Sequence, residues 1–145
     1  MKTVFTNEIL NSFSDINKLL YKLSKQDADY NGLTVVQLKA LYNVSIHPNL
    51  GLVELAELLK LTNSTTSGVL DRMVQNGLVE RRKLPNDRRA ITIQLSEKGQ
   101  EKLEKFISGE SILVEKLNKV KQELSDEDIQ SLLRIHEKIR EILSE

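Results

Sequence analysis

The 145-residue chain has no cysteine and no tryptophan, two prolines, six glycines, three tyrosines and three phenylalanines. Without cysteine there is no disulfide scaffold, no thiolate metal site and no thiol redox sensor. No apolar run approaches the ~20 residues needed to span a bilayer. The first residues, MKTVFTNEIL, hold one lysine and no long apolar segment, so they do not read as a signal peptide. The expectation is a cytoplasmic protein with no membrane partner. An excess of either charge is also missing: 21 basic and 21 acidic residues cancel, which excludes a uniformly cationic coat on nucleic acid but not a local basic patch. Few breakers, with 39% hydrophobic and 29% charged residues dominated by Leu, Ile, Lys and Glu, favour one mainly helical domain.

The neutral total conceals an uneven spread. Residues 31–96 hold eight basic and five acidic side chains, whereas residues 97–145 hold nine and twelve. Arg81, Arg82, Lys83, Arg88 and Arg89 crowd into one short stretch with a single acid, Asp87.

Apolar spacing organises the chain into helices. Ile9, Phe13, Ile16, Leu20 and Leu23 make one stripe, predicting a first helix from about Asn7 to Ser24. Gln26 to Gly32 is polar and ends in an Asn-Gly turn signal. Thr34 and Gln37 form a capping box that opens a second helix, which should end near Ile46 because His47 precedes Pro48. Gly51 caps a short third helix, Leu52 to Leu59. After a tight turn at Lys60-Leu61, Thr62 caps a fourth, Asn63 to Gln75, closed by Asn76-Gly77.

The period then falls to two. Leu78 to Arg82 and Ala90 to Leu95 are candidate strands, with Ile91, Ile93 and Leu95 on one face and the turn residues Leu84 to Asp87 between them. Ser96 caps a long helix from Glu97 to about Leu124, which Gly109 can bend. Ser125 and Asp128 begin a last helix with a broad apolar face.

Two short helices, a tight turn and then a hairpin with a cationic tip make a winged helix-turn-helix. Such a motif lays its second helix in the major groove of DNA. In the fourth helix Thr66, Val69, Leu70 and Met73 fall at core spacing. Asn63, Ser64, Thr65, Ser67, Gly68 and Arg72 fall on the other side, where small hydroxyl and amide groups suit phosphates and base edges. Lys83, Asn86, Asp87, Arg88 and Arg89 make up the wing set. The terminal helices carry more apolar surface than one such module can cover, which points to dimerisation through them. A winged-helix protein-interaction module without DNA binding is the alternative, and its mark would be a wing without cations. For an enzyme there is no phosphate-cradling glycine loop, no cysteine nucleophile and no paired His/Asp; Glu54 and Glu57 sit at i, i+3 on an exposed helix face.

The segments LTVVQLKAL (33–41), LVELAELLKLTNSTTSGVLDRMVQNGLVERR (52–82), DRRA (87–90) and LSEKG (95–99) make the chain resemble the multiple antibiotic resistance regulator (MarR) family of bacterial winged-helix transcription factors. The resemblance covers nearly the whole chain. It implies a single unit, 1–145, in which residues 33–99 are the DNA-binding region and residues 1–30 and 100–145 interleave with a second copy in an obligate triangular homodimer. It implies a repressor on a pseudo-palindromic double-stranded operator. In the wing, Arg89 enters the minor groove, steadied by Asp87, while Arg88 and Lys83 reach phosphates. Two positions depart from the pattern: Thr66 stands where the family usually has an apolar residue, and Gly68 where a basic or polar one is common. Many members take a small aromatic ligand between the dimer helices and the winged module, which would place it near Phe13, Tyr21, Tyr42 or His47. No cofactor is expected and no metal, since His47 and His136 are the only histidines and lie far apart.

Overall fold

The computed structural model describes residues 7–145, apart from the side chains of residues 87–89 and 109–110. Its elements run α1 (Glu8–Tyr30), α2 (Val35–Ile46), α3 (Leu52–Leu59), α4 (Asn63–Gln75), β1 (Val79–Leu84), β2 (Asp87–Leu95), α5 (Glu97–Lys105), a π-helical turn (Phe106–Glu110), α6 (Ile112–Glu123) and α7 (Asp126–Leu143). The expected class, mainly helical with one small hairpin, is what the chain forms.

Local signals explain the middle of this order. Thr34 accepts from the Gln37 amide while the Gln37 side chain accepts from the Thr34 amide, a closed capping box at the start of α2. Lys60 takes the left-handed conformation that ends α3 (φ 56°), and Gly77 does the same after α4 (φ 72°). The fully buried side chains of Leu41, Leu55, Met73, Leu78 and Leu103 centre the core where α2, α3, α4, the hairpin base and α5 meet.

The hairpin is longer than its sequence signal. β1 and β2 pair antiparallel from Val79↔Leu95 to Lys83↔Ile91, and after a register shift Leu84 faces Asp87, so only Pro85 and Asn86 connect the strands. Its inward face is also less regular than alternation predicts. Ile93 is buried and Leu95 half-buried, but Ile91 lies further out along the hairpin and is 50% exposed. Thr92 is buried instead, with its hydroxyl donating to the Arg82 carbonyl. On the free edge, the Ile93 amide donates to the Leu50 carbonyl at 2.8 Å, which ties the hairpin to the segment before α3.

Two expectations fail for one physical reason. α1 does not stop near Ser24 but continues to Tyr30. The helix from Glu97 is not continuous to Leu124: it opens into the π-helical turn and breaks at Ser111, whose extended backbone starts α6. The break falls two residues beyond Gly109. The extra turns of α1 carry Asp27, 4% exposed, beneath the first turn of α6. There its carboxylate accepts from the Ser111 hydroxyl (2.7 Å), the Ile112 amide (2.7 Å) and the Leu113 amide (3.2 Å). The first amides of any helix lack intrahelical partners, and a carboxylate satisfies both their hydrogen bonding and the positive end of the dipole.

Basic side chains close other helix ends. Lys102 donates to the Asn31 carbonyl just beyond α1 (2.6 Å), and Lys98 to the Asn76 carbonyl just beyond α4 (3.0 Å). Gly99 is held by space: a Cβ there would lie 2.0 Å from the Leu78 carbonyl oxygen, so only glycine lets α5 pack on the start of the hairpin. By contrast α6 and α7 bury no residue among those described. Leu117, Val120, Leu132, Leu133, Ile142 and Leu143 are exposed, as are Ile9, Ile16 and Leu19 on α1.

Removing the Asp27 carboxylate leaves a buried hydroxyl and two amides without an acceptor. Asp27→Ala is therefore expected to lower the unfolding free energy by about 3 kcal/mol, read by urea titration followed by circular dichroism. An unchanged midpoint would contradict this role for the carboxylate.

Candidate nucleic-acid interface

α3 and α4 are joined by the left-handed turn at Lys60, and Thr62 caps α4. The Thr62 hydroxyl oxygen accepts from the Thr65 amide (3.1 Å) and its hydrogen is donated to the Thr65 hydroxyl (3.0 Å). Burial then separates the two sides of α4. Thr66, Leu70 and Met73 are buried and Val69 is half-buried. Asn63, Ser64, Thr65, Gly68 and Arg72 are exposed, and Ser67 is half-buried at the boundary. The division expected from spacing thus appears in the structure, with Ser67 less open than the others. Thr66 occupies its core position fully buried, and its hydroxyl has no hydrogen-bond partner among the described residues.

The hairpin lies beside this helix and is joined to it by charge. The Arg81 guanidinium on β1 pairs with the Asp71 carboxylate on α4. Arg82 pairs with Glu80 of its own strand at 3.2 Å. Two of the five clustered cations are thereby matched with acids, so the cationic tip is narrower than the sequence count suggests. Lys83 and Asn86 are exposed at the far end of the hairpin. The roles expected of the Asp87, Arg88 and Arg89 side chains lie outside the described residues. The Asp71–Arg81 link is not legible in the sequence, because the nine intervening residues fold back through a turn and no helical or strand spacing relates the two.

The four residues expected around a ligand do not line one cavity. Tyr42 lines a mainly apolar cavity of about 340 Å³ between α1, α2, the π-helical turn and α6, with Ser24, Leu38, Phe106 and Leu113 among its walls. Phe13 lines a separate cavity of about 200 Å³ with His136, Ile139 and Leu143, its ring centroid 5.9 Å from that of His136. Tyr21 is exposed on α1, and His47 caps α2 with Nδ1 2.9 Å from the Asn43 carbonyl. Neither lines either cavity. Among the described residues there is no cluster of three His, Asp or Glu side chains suited to a metal ion, and no helix is long and apolar enough to cross a membrane.

A helix pair whose second member shows a polar outer face, followed by a two-stranded hairpin braced against it, defines a winged helix-turn-helix protein. Residues 33–91 match the MarR family. The transcriptional repressor YetL of Bacillus subtilis is 31% identical over 124 residues, a match covering 83% of this chain and 72% of YetL. Among solved structures, AbsC of Streptomyces coelicolor, a MarR family transcriptional regulator, superposes with a TM-score of 0.82 at 25% identity over 99% of this chain and 97% of that one. Sco3205 of the same organism, a MarR family regulator solved in complex with DNA, gives 0.80 at 26% identity over 100% and 91%. The chain belongs to the MarR family of transcriptional regulators.

The magnitudes of two contacts around α4 can be ranked. Asp71 and Arg81 are both substantially exposed, and an exposed ion pair contributes about 1 kcal/mol or less. The Cβ of an alanine at position 99 would meet backbone, and such overpacking costs about 1–3 kcal/mol. Gly99→Ala should therefore destabilise the protein more than Arg81→Ala in chemical denaturation. The reverse order would show that the bridge, not close packing, holds the hairpin.

Proposed function

We propose that the protein is a homodimeric, sequence-specific regulator of transcription that binds double-stranded DNA and acts in the cytoplasm as a repressor. The observation that carries this reading is the outward face of α4, where Asn63, Ser64, Thr65 and Arg72 stand exposed over a buried row of Leu70 and Met73. Hydroxyl, amide and guanidinium groups on one helix face have the donors and acceptors that base edges and phosphates require. Residues 33–99 make up the DNA-binding region, with α4 in the major groove. Lys83, Asn86, Asp87, Arg88 and Arg89 form the wing, with Arg89 in the minor groove and Arg88 and Lys83 on phosphates. The similarity to YetL, a named repressor, and to Sco3205, solved with DNA, supports the same reading.

Residues 1–30 and 100–145 form the dimerisation region. Its support is the row of exposed apolar side chains on α1, α6 and α7, far more than an isolated subunit would leave open to water. A second copy related by two-fold symmetry covers the same surface on both subunits and places two α4 helices about one helical turn of DNA apart. The cavity beside Tyr42 lies where this region meets the winged module, and its apolar walls suit a small aromatic effector.

Fluorescence anisotropy on duplexes enriched from a random pool tests this function. Arg89→Ala should weaken binding to most sequences and reduce the slope of log affinity against log salt by about 0.9, the loss of one phosphate-region cation. Unchanged affinity and slope would remove the wing from the interface. Failure of the wild-type protein to retain any duplex at low salt would overturn the function itself.

A further inference from the structure

Gly68 lies within α4, and nothing in the fold asks for a glycine there. Its backbone is helical: among the described residues the glycines with positive φ are Gly32 and Gly77. A Cβ built on Gly68 would meet no described atom within 4 Å, in contrast to Gly99, where it would strike the Leu78 carbonyl. Glycine inside a helix is also the poorest choice after proline, because it gives up the most backbone freedom on folding. The chain therefore carries a residue that weakens α4 and fills no need of its packing.

The position explains what outside the chain could benefit. Residues three and four apart adjoin on a helix surface, so Ser64 and Thr65 flank Gly68 on one side and Asp71 and Arg72 on the other. All four are exposed. Gly68 is thus the middle of the open face, and in a helix laid in a groove the middle of that face comes nearest the floor. We infer that Gly68 is a clearance position: the bare backbone of α4 admits the edge of a base pair to a distance that any side chain would prevent, making this residue a determinant of affinity and of preference at the base pair it faces. The inference rests on α4 being the recognition helix.

Thr66 supplies the control that separates clearance from mere helix weakness. It is buried, two residues away, with an unpartnered hydroxyl. Thr66→Val replaces that hydroxyl with a methyl of the same shape and should firm α4 from its inner side without touching the open face. Melting temperature and affinity for the best duplex selected by the wild-type protein are measured for Gly68→Ala and Thr66→Val. Both variants should melt a few degrees higher than wild type. Gly68→Ala should bind roughly tenfold more weakly or worse, with altered preference at one base-pair position per half-site, while Thr66→Val should bind within about twofold of wild type. Wild-type affinity in Gly68→Ala, or equal losses in both variants, would overturn the inference while leaving the recognition helix in place. Absence of any bound duplex for the wild-type protein is the separate result that removes the recognition helix, and this inference with it.

Discussion

Leu70 and Met73 are sealed in the core with Leu41, Leu55 and Leu78, and that burial sets the orientation of α4. Once the inner row is fixed, a helix has no freedom left about its own axis: the residues opposite must face water. The polar character of that outer face is then a choice of sequence and not a by-product of folding. The same core holds the hairpin, because Leu78 and Val79 enter it immediately after α4 ends. Gly99 lets α5 close against Leu78 from the other side. α4, the hairpin and α5 therefore share one core, and a shift of that core would move α4 and the hairpin together.

The Asp27 carboxylate does comparable work at the other end. It fastens the last turns of α1 to the first turn of α6, and both helices contribute walls to the cavity that Tyr42 lines. Lys102, reaching from α5 to the carbonyl just beyond α1, adds a tie between α5 and α1. A molecule entering this cavity would press on α1, α2 and α6 at once, and α2 is packed directly in the core that orients α4.

What could be read from the sequence depended on how far apart the interacting residues lie. α2, α3 and α4 were legible to the residue because their boundaries are set by neighbours: the Thr34–Gln37 box, the left-handed turn at Lys60, the Thr62 cap and the Asn76-Gly77 stop. The division of α4 into inner and outer sides followed from spacing alone. Spacing alone ends α1 near Ser24 and runs α5 and α6 together, because Asp27 and Ser111 look like ordinary turn residues until more than eighty intervening residues bring them together. Arg81 looked like one more cation of the wing until the hairpin folded it against Asp71. Phe13 on α1 and Tyr42 on α2 are both aromatic, yet they line different cavities, one walled by α7 and the other by the π-helical turn.

The central claim is that the open face of α4, and not another surface, meets the bases. Photocrosslinking tests it without knowledge of the operator, because binding at low salt is dominated by phosphates and depends little on sequence. A benzoyl-phenylalanine side chain replaces Thr65 on α4 in one variant and Glu137 on α7 in another, each irradiated with a randomised duplex. The account predicts adducts to nucleobases from position 65 and none from position 137; adducts from position 137 with none from position 65 would contradict it.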